Sequence, residues 1–193
     1  MLRISAGKFK NRLLKAPETT ETRPTSGRIR EMLFNIVQNE IEGATFLDLF
    51  AGSGAMGIEA ISHGAAHSTF VDSSRICYDC IKENINTLGI SAQTTVLCTD
   101  VFDALEKLVN QQAQFDVIYI DPPYNTETTF NGETVSLGIR LLLEIDRLAL
   151  LKPSGTLFIE EGKKALDNRA LETLVLKKAR KAGRTTLWQF IPK

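Results

Sequence analysis

The segment Leu47-Asp48-Leu49-Phe50-Ala51-Gly52-Ser53-Gly54-Ala55-Met56-Gly57 decides the fold of this chain. A short apolar stretch runs into closely spaced glycines and then into a helical pattern, which predicts a strand turning tightly into a helix. Such a turn lets a ligand approach the backbone beside the helix N-terminus. Gly52, Gly54 and Gly57 match the G-x-G-x-x-G pattern of dinucleotide sites, whereas Asp48 suits a cationic amino-acid group better than a pyrophosphate. A purely structural turn that packs strand on helix is the alternative.

Short apolar stretches alternate with longer helical patterns on both sides of this segment. The predicted strands are residues 46–50, 68–71, 94–97, 115–120 and 156–159. The predicted helices are residues 55–62, 74–88, 102–110 and 135–148. This alternation predicts an α/β fold, a doubly wound parallel sheet with right-handed crossovers. Two further strands, near residues 173–178 and 185–191, are joined by a short turn and predict an antiparallel hairpin at one sheet edge.

The first 43 residues are predicted to form a separate appendage, and residues 44–193 the main domain. Residues 2–6 and 12–15 are expected to pair as a small hairpin around residues 7–11. Thr25 or Ser26 then caps a helix that runs to about Glu40.

The composition indicates an ordinary globular protein. Of 193 residues, 43% are hydrophobic and 24% charged, which excludes wholesale disorder. Apolar stretches fall far short of the ~20 residues of a membrane span, and the first ten residues lack the apolar block of a signal peptide. Three cysteines, an odd number, do not indicate a disulfide framework. We therefore expect a cytoplasmic protein.

The net charge of zero hides a strong partition along the chain. Residues 1–30 hold eight basic and two acidic residues, and residues 163–193 hold nine basic and two acidic residues. The body between them, residues 31–162, holds six basic and 19 acidic residues. Basic ends on an acidic body favour a protein that grips a phosphate backbone while its centre holds a cationic small molecule. Solvated surface charge and lysine protection of an edge strand are the alternatives.

Two more acidic residues follow predicted strands. Asp72 follows the second strand of the sheet, where a carboxylate accepts hydrogen bonds from ribose hydroxyls in sites for either NAD or S-adenosylmethionine. Asp100 follows the third strand and is a candidate acceptor for an adenine amino group, with Val101 and Phe102 against the ring. A helix N-cap is the competing interpretation of Asp100, because aspartate is favoured there.

The motif Asp121-Pro122-Pro123-Tyr124 directly follows the predicted strand 115–120. Consecutive prolines fix the backbone and leave carbonyl oxygens free as acceptors. The Asp121 carboxylate and a proline carbonyl can then bind both N–H bonds of an exocyclic amine and orient its nitrogen toward an electrophilic methyl group. Tyr124 offers a face for base stacking.

These motifs together resemble the RsmD family, bacterial 16S rRNA guanine-N2 methyltransferases that use S-adenosylmethionine. The resemblance includes Leu2-Arg3-Ile4-Ser5-Ala6-Gly7, Thr22-Arg23-Pro24-Thr25 and Arg28-Ile29-Arg30-Glu31-Met32-Leu33-Phe34-Asn35-Ile36, and it covers essentially the whole chain. It implies a seven-stranded Rossmann-like methyltransferase sheet with an antiparallel last strand and a largely monomeric enzyme. The implied target is the guanine conventionally numbered 966, in a small ribosomal subunit that already carries proteins.

The resemblance also implies a role for each site residue. The catalytic set is Asp121, Pro122, Pro123 and Tyr124. The cofactor-binding set is Arg23, Asp48, Phe50, Gly52, Gly54, Asp72, Asp100, Val101 and Asp121, with Arg23 facing the cofactor carboxylate. The RNA-phosphate candidates are Lys8, Lys10, Arg12, Arg28 and Arg30. No metal is predicted.

Several alternatives stay open at the level of sequence. An adenine-N6 DNA methyltransferase or a glutamine-N5 protein methyltransferase would use the same chemistry. An NAD-dependent dehydrogenase would use the same glycine turn, and a non-catalytic ribosome-assembly factor would keep the same fold. Cys77 and Cys80, with His63 and His67 upstream, allow a zinc or redox site, although helix packing explains the cysteines better.

Overall fold

A computed structural model describes residues 2–18, 27–123, 126–162, 171–183 and 185–193. Its strands are β1 (Leu2–Arg3), β2 (Leu13–Leu14), β3 (Thr45–Leu49), β4 (His67–Asp72), β5 (Thr94–Cys98), β6 (Phe115–Ile120), β7 (Glu127–Phe130), β8 (Glu133–Ser136), β9 (Leu151–Glu161), β10 (Leu174–Ala182) and β11 (Thr185–Pro192). Its helices are α1 (Gly27–Ile36), α2 (Ala55–Ser62), α3 (Arg75–Leu88), α4 (Val101–Asn110) and α5 (Leu137–Arg147).

Seven strands form the central sheet in the order β10-β11-β9-β6-β3-β4-β5. The strands from β9 to β5 run parallel, and β11 is antiparallel to both of its neighbours. The chain builds β4 and β5 on one side of β3 and β6 and β9 on the other, so the strand order reverses between β3 and β6. The predicted doubly wound sheet with an antiparallel last strand is confirmed. That last strand, β11, lies between β9 and the edge strand β10.

Helices cover both faces of the sheet because the parallel strands are apolar on both sides. One face packs against α1, α2 and α3, through side chains such as Phe46 and Phe70. The other packs against α4 and α5, through side chains such as Leu49 and Ile118. Neighbouring strand residues such as Phe46 and Leu47 therefore belong to different clusters, as the two-residue period of a strand requires. No helix in the described ranges is long and apolar enough to cross a membrane.

Polar caps set the starts of three helices at or beside the predicted positions. The side chains of Ser74, Asp100 and Ser136 accept hydrogen bonds from backbone N–H groups in the first turns of α3, α4 and α5. Gly89 ends α3 in the left-handed conformation, with φ 69°.

Two elements differ from the prediction. Residues 133–136 form β8, which pairs with β7 around Asn131-Gly132, and α5 begins only at Leu137. Both turn residues have positive φ, 50° and 81°, as a tight hairpin turn requires. The helix α1 ends at Ile36 rather than near Glu40, and its expected cap, Thr25 or Ser26, lies outside the described residues.

The predicted N-terminal hairpin is confirmed, with shorter strands. Leu2 pairs with Leu14 and Arg3 with Leu13. The loop between the strands lies against the C-terminal end of α2, where a Cβ on Gly7 would meet the Ser62 carbonyl oxygen at 1.9 Å. Gly7 also has φ 78°, so glycine is required at this position on two counts.

Candidate active site

The glycine turn lies at the carboxyl end of β3. Phe50, Gly52 and Gly54 all have positive φ, at 64°, 55° and 77°. Phe50 is a bulky residue in the left-handed region, a conformation that concentrates at functional sites. A Cβ on Gly52 would meet nothing within 4 Å, so open space lies above the turn at that point. The turn is strained and accessible, as close approach of a ligand requires.

Asp72 ties this turn to the end of β4. Its carboxylate accepts a hydrogen bond from Gly52 N at 2.8 Å and another from Ser74 N at 2.9 Å. Each carboxylate oxygen has a second lone pair, so the group can still accept hydrogen bonds from two hydroxyls of a ligand. The proposed ribose contact is compatible with this geometry.

Asp48 is a buried carboxyl group beneath the turn, with 1% of its surface exposed. It accepts a hydrogen bond from Gly57 N, in the first turn of α2, at 3.0 Å. Burial, with a smaller contribution from the charge of Asp72, raises the pKa of Asp48 to about 7, although the hydrogen bond from Gly57 N acts in the opposite direction. Gly57 has no room for a side chain, because a Cβ there would lie 2.3 Å from Phe70 Cε1. A cation bound nearby would favour the charged form of Asp48.

Asp121 lies beside the glycine turn. Leu49 pairs with Ile120 at the ends of β3 and β6, and Asp121 N donates a hydrogen bond to Leu49 O at 3.4 Å. Pro122 is buried and Pro123 exposed. The two motifs therefore leave adjacent strands at the same edge, at the point where the strand order reverses, which is where ligands bind in open α/β sheets. Tyr124 and Arg23 lie outside the described residues.

Two buried polar side chains near Asp121 escaped the sequence analysis. The Tyr119 hydroxyl donates a hydrogen bond to Glu160 Oε2 at 2.8 Å. Burial raises the pKa of Tyr119 well above its usual value, and the charges of Asp121 and Glu160 add to this effect. Tyr119 pairs with Asp48 across β6 and β3, so the two-residue period places it on the same sheet face as that carboxyl group. An acidic residue near the C-terminal end of a buried strand is the signal that would have indicated Glu160.

Asp100 is exposed and accepts a hydrogen bond from Phe102 N at 2.8 Å. It is therefore the N-cap of α4, which was the competing interpretation, and an adenine contact by the same carboxylate stays a prediction. Val101 is buried, and Phe102 lies under the Arg140 guanidinium at 3.9 Å from its ring centroid.

The comparisons with known proteins agree with this arrangement. Residues 2–191 match the family model described as Conserved hypothetical protein 95. A Haemophilus influenzae protein named Ribosomal RNA small subunit methyltransferase D is 35% identical over 163 residues, covering 84% of this chain and 79% of the relative. The chain belongs to the RsmD family. A second relative, Bacillus subtilis YlbH, named as a candidate rRNA methyltransferase, is 32% identical over 184 residues, 95% of each chain.

Solved structures confirm the fold expected of RsmD. The Escherichia coli protein yhhF, described as a candidate methyltransferase, superposes with a TM-score of 0.79 and 26% identity, covering 100% of this chain and 98% of that one. SMU.776, a candidate methyltransferase crystallised with SAH, has a TM-score of 0.65 at 17% identity, covering 94% of this chain and 52% of that one, which shows the fold alone. The predicted class, an S-adenosylmethionine-dependent methyltransferase, is confirmed. The open glycine turn and buried Asp48 fit a cofactor that carries a sulfonium and an ammonium group.

The RsmD-type appendage presents four of the five predicted RNA-phosphate candidates at its surface. Lys8, Lys10, Arg12 and Arg28 are exposed. Arg30 differs, because it is only 5% exposed and its guanidinium donates a hydrogen bond to Arg3 O at 3.0 Å. Its Nε also lies 3.5 Å from Glu59 Oε2. Arg30 holds α1 and β1 on α2, so the proposed RNA-binding set excludes it.

The cysteine pair of this RsmD chain belongs to the core. Cys77 and Cys80 are buried in α3. Burial raises the pKa of Cys77 to about 11 and also raises that of Cys80, so both thiols stay protonated and unreactive. Within the described ranges, no group of three or more His, Cys, Asp and Glu side chains is placed to hold a metal ion.

Proposed function

We propose that this RsmD-family chain transfers a methyl group from S-adenosylmethionine to the exocyclic N2 of a guanine in 16S rRNA. The observation that carries the proposal is the position of Asp121-Pro122-Pro123 beside the open glycine turn at the point of strand reversal. The names of the curated relatives support the class of substrate, ribosomal RNA of the small subunit. Family membership sets aside the dehydrogenase alternative.

The cofactor supplies an electrophilic methyl group when it is bound. Asp48 and the glycine turn would hold its methionine part with Arg23 at the carboxylate, while Asp72 would hold the ribose and Asp100 and Val101 the adenine. The Asp121 carboxylate and a carbonyl of the Pro122-Pro123 segment accept the two N–H bonds of the guanine amine. These acceptors orient the nitrogen lone pair, and the base stacks on Tyr124.

Asp121 need not remove a proton before the nitrogen attacks. The nitrogen becomes acidic as it gains the methyl group, so an acceptor whose hydrogen bond strengthens with developing positive charge lowers the barrier. One N–H proton then leaves the nitrogen, with Asp121 as the proposed first acceptor.

The proposed biological setting follows from this substrate. The enzyme would act as a monomer in the bacterial cytoplasm, on the small subunit or its assembly intermediate, at the guanine conventionally numbered 966. Lys8, Lys10, Arg12 and Arg28 would contact RNA phosphates, since they are exposed and basic.

The test incubates the protein and methyl-labelled S-adenosylmethionine with hypomethylated small subunits, naked 16S rRNA or duplex DNA. Digestion to nucleosides should show label in N2-methylguanosine, at one position by primer-extension mapping. Label in N6-methyladenine would show that adenine, and not guanine, is the methylated base. Label in protein alone would contradict the RNA proposal.

Asp121→Asn should lower the methylation rate by at least about 100-fold, because the amide is a weaker acceptor for a developing cation. Cofactor affinity, measured by calorimetry, should change much less. Asp103→Asn, an exposed carboxylate on α4, is the matched control and should keep the wild-type rate. Equal rates for Asp121→Asn and wild type would exclude the proposed role of Asp121.

A further inference from the structure

The β10–β11 hairpin carries a dense positive charge. Residues 173–193 contain six basic residues and no acidic residue. On the edge strand β10, Lys177, Lys178 and Lys181 are exposed. Arg180 is half-buried and donates a hydrogen bond to Gln189 Oε1 at 2.9 Å, so its position is fixed on the sheet. The three exposed lysines are named here the β10 lysine row.

The sheet register places this row level with Asp121. Ile120 pairs with Ile159, Ile159 with Trp188, and Trp188 with Ala179. Asp121 therefore lies at the level of Arg180, between the levels of Lys178 and Lys181. Three strand spacings separate β6 from β10, a lateral distance of about 14 Å. A nucleic-acid chain whose base reaches Asp121 can therefore extend its backbone to β10.

Local structure presents the lysines outward. The pairing of β10 with β11 shifts register between Leu176 and Lys178, so the edge strand bulges at Lys177. A bulge re-aims side chains at a sheet edge. The acidic residue opposite Thr186, Glu161, accepts hydrogen bonds from Ser136 Oγ and Gly162 N, both at 3.0 Å. The Glu161 carboxylate is therefore held by hydrogen bonds on the α5 side of its strand, and not by the lysines of β10.

We propose that the β10 lysine row is a second rRNA-binding surface, which contacts backbone phosphates next to the target guanine. The proposal rests on the proposed function, since it deepens the choice of substrate at the same site. Protection of an edge strand would also use lysines, but it requires no alignment with Asp121 and predicts no effect on RNA affinity.

The test compares two triple variants with the same loss of charge. K177Q/K178Q/K181Q removes the row. K82Q/K107Q/K193Q removes three lysines elsewhere, on α3, α4 and the opposite end of the hairpin. The affinity of each protein for a 16S rRNA fragment is titrated directly between 50 and 300 mM salt, and the KM for RNA and the cofactor affinity are measured separately.

Loss of the row should raise the Kd and KM for RNA by about tenfold or more, with the cofactor affinity unchanged. The slope of log Kd against log salt should fall by about 2 to 3, one phosphate contact for each lysine. The control triple variant should change the slope by less than one. K177R/K178R/K181R should restore wild-type affinity, because it keeps the charges.

Equal Kd, KM and salt slope in the two glutamine variants would overturn the proposal while leaving the methylation result intact. Aggregation of K177Q/K178Q/K181Q without a change in the salt slope of its soluble fraction would assign the row to edge protection. The direct titration needs no methyl transfer, so it decides the surface even if the labelled nucleoside contradicts the proposed function.

Discussion

Asp48 is a carboxyl group whose ionisation is opposed by its burial in the folded protein. Its pKa is about 7 in the folded protein, against a usual value of 3.8. The folded state therefore binds a proton more tightly than the unfolded state, so this group stabilises the fold most below about pH 4 and loses that contribution as pH rises toward 7. The loss amounts to about 4 kcal/mol at most.

Asp48→Asn should remove this dependence, because the neutral amide can still accept the Gly57 hydrogen bond. Without cofactor, the variant should gain stability over wild type between pH 5 and pH 8, by about 1 to 4 kcal/mol. Urea unfolding at the two pH values measures the difference. Asp103→Asn serves as an exposed control. If the difference in the free energy of unfolding between wild type and Asp48→Asn is the same at pH 5 and pH 8, the pH dependence does not come from the buried Asp48 carboxyl group. Asp48→Asn should also weaken cofactor binding, since it removes the negative charge under the glycine turn.

Arg30 shows why charge counting fails for single residues. It adds to the basic total of the first 30 residues, yet its side chain is buried against Glu59. Sequence reports the number of charges, while burial depends on which face of α1 meets α2. The helical spacing of Ile29, Leu33 and Phe34 places Arg30 on the packed side, and that signal was available.

At the scale of elements, Glu59 joins three segments. It is 0% exposed and accepts hydrogen bonds from Ser5 N at 2.8 Å, from Ala6 N at 3.1 Å and from the Ser5 hydroxyl. Burial alone would raise the pKa of Glu59, but the His63 imidazole, whose Nε2 lies 3.8 Å from Oε1, and the hydrogen bonds from Ser5 and Ala6 outweigh it and hold the pKa below its usual value. Its stabilising contribution is therefore present above about pH 4.5 and is lost as pH falls through the depressed pKa.

Glu59→Gln should loosen the N-terminal hairpin from α2. The substitution removes the carboxylate charge that lies 3.5 Å from the buried Arg30 Nε, and breaking a buried pair of this kind costs about 3 kcal/mol. Hydrogen exchange should accelerate at the Ser5 and Ala6 amides more than in β3 and β6. Glu83→Gln breaks an exposed pair with Lys15 and should leave exchange unchanged. Equal protection of Ser5 in Glu59→Gln and wild type would refute the anchoring role.

Most elements could be predicted from local patterns because the parallel strands of the central sheet are short apolar runs and three helices, α3, α4 and α5, begin at polar caps. The β7–β8 hairpin was missed although Asn131-Gly132 is a strong turn signal, because the helical pattern of residues 135–148 dominated the interpretation. The site at the sheet edge was predictable for the same reason as the sheet, since Asp48, Asp72 and Asp121 lie in or directly after parallel strands. The Tyr119–Glu160 hydrogen bond joins residues 41 positions apart, and only the register of β6 with β9 brings them together.

At the scale of the whole molecule, the charge partition becomes a spatial arrangement. Acidic side chains Asp48, Asp72 and Asp121 gather at the carboxyl edge of the sheet, where a cationic cofactor is expected. Exposed basic residues lie on the N-terminal hairpin and on β10, at the two ends of the chain. A cation and a polyanion can therefore be held by one small protein with zero net charge.

The boundary between the N-terminal appendage and the main domain, at residues 43 and 44, stays a proposal. The packing indicates whether the two parts unfold independently. Ile4 and Leu14 of the N-terminal hairpin and Leu33 of α1 belong to the same core cluster as Phe46 and Ile58. The appendage and the sheet thus share one core, so their unfolding should be coupled.

We expect the full chain to unfold in a single transition, with equal calorimetric and van't Hoff enthalpies. A chain of residues 44–193 would leave the apolar side of α2 exposed, and it should bind ANS and lack a native near-ultraviolet circular dichroism spectrum. Residues 16–193 are the milder control, since they lose the hairpin but keep α1. Two separate transitions in the full chain, or a native spectrum for residues 44–193, would show that the appendage is an independent unit. A single transition would mean that the appendage, with its proposed RNA-contact residues, folds as one cooperative unit with the sheet that carries Asp121.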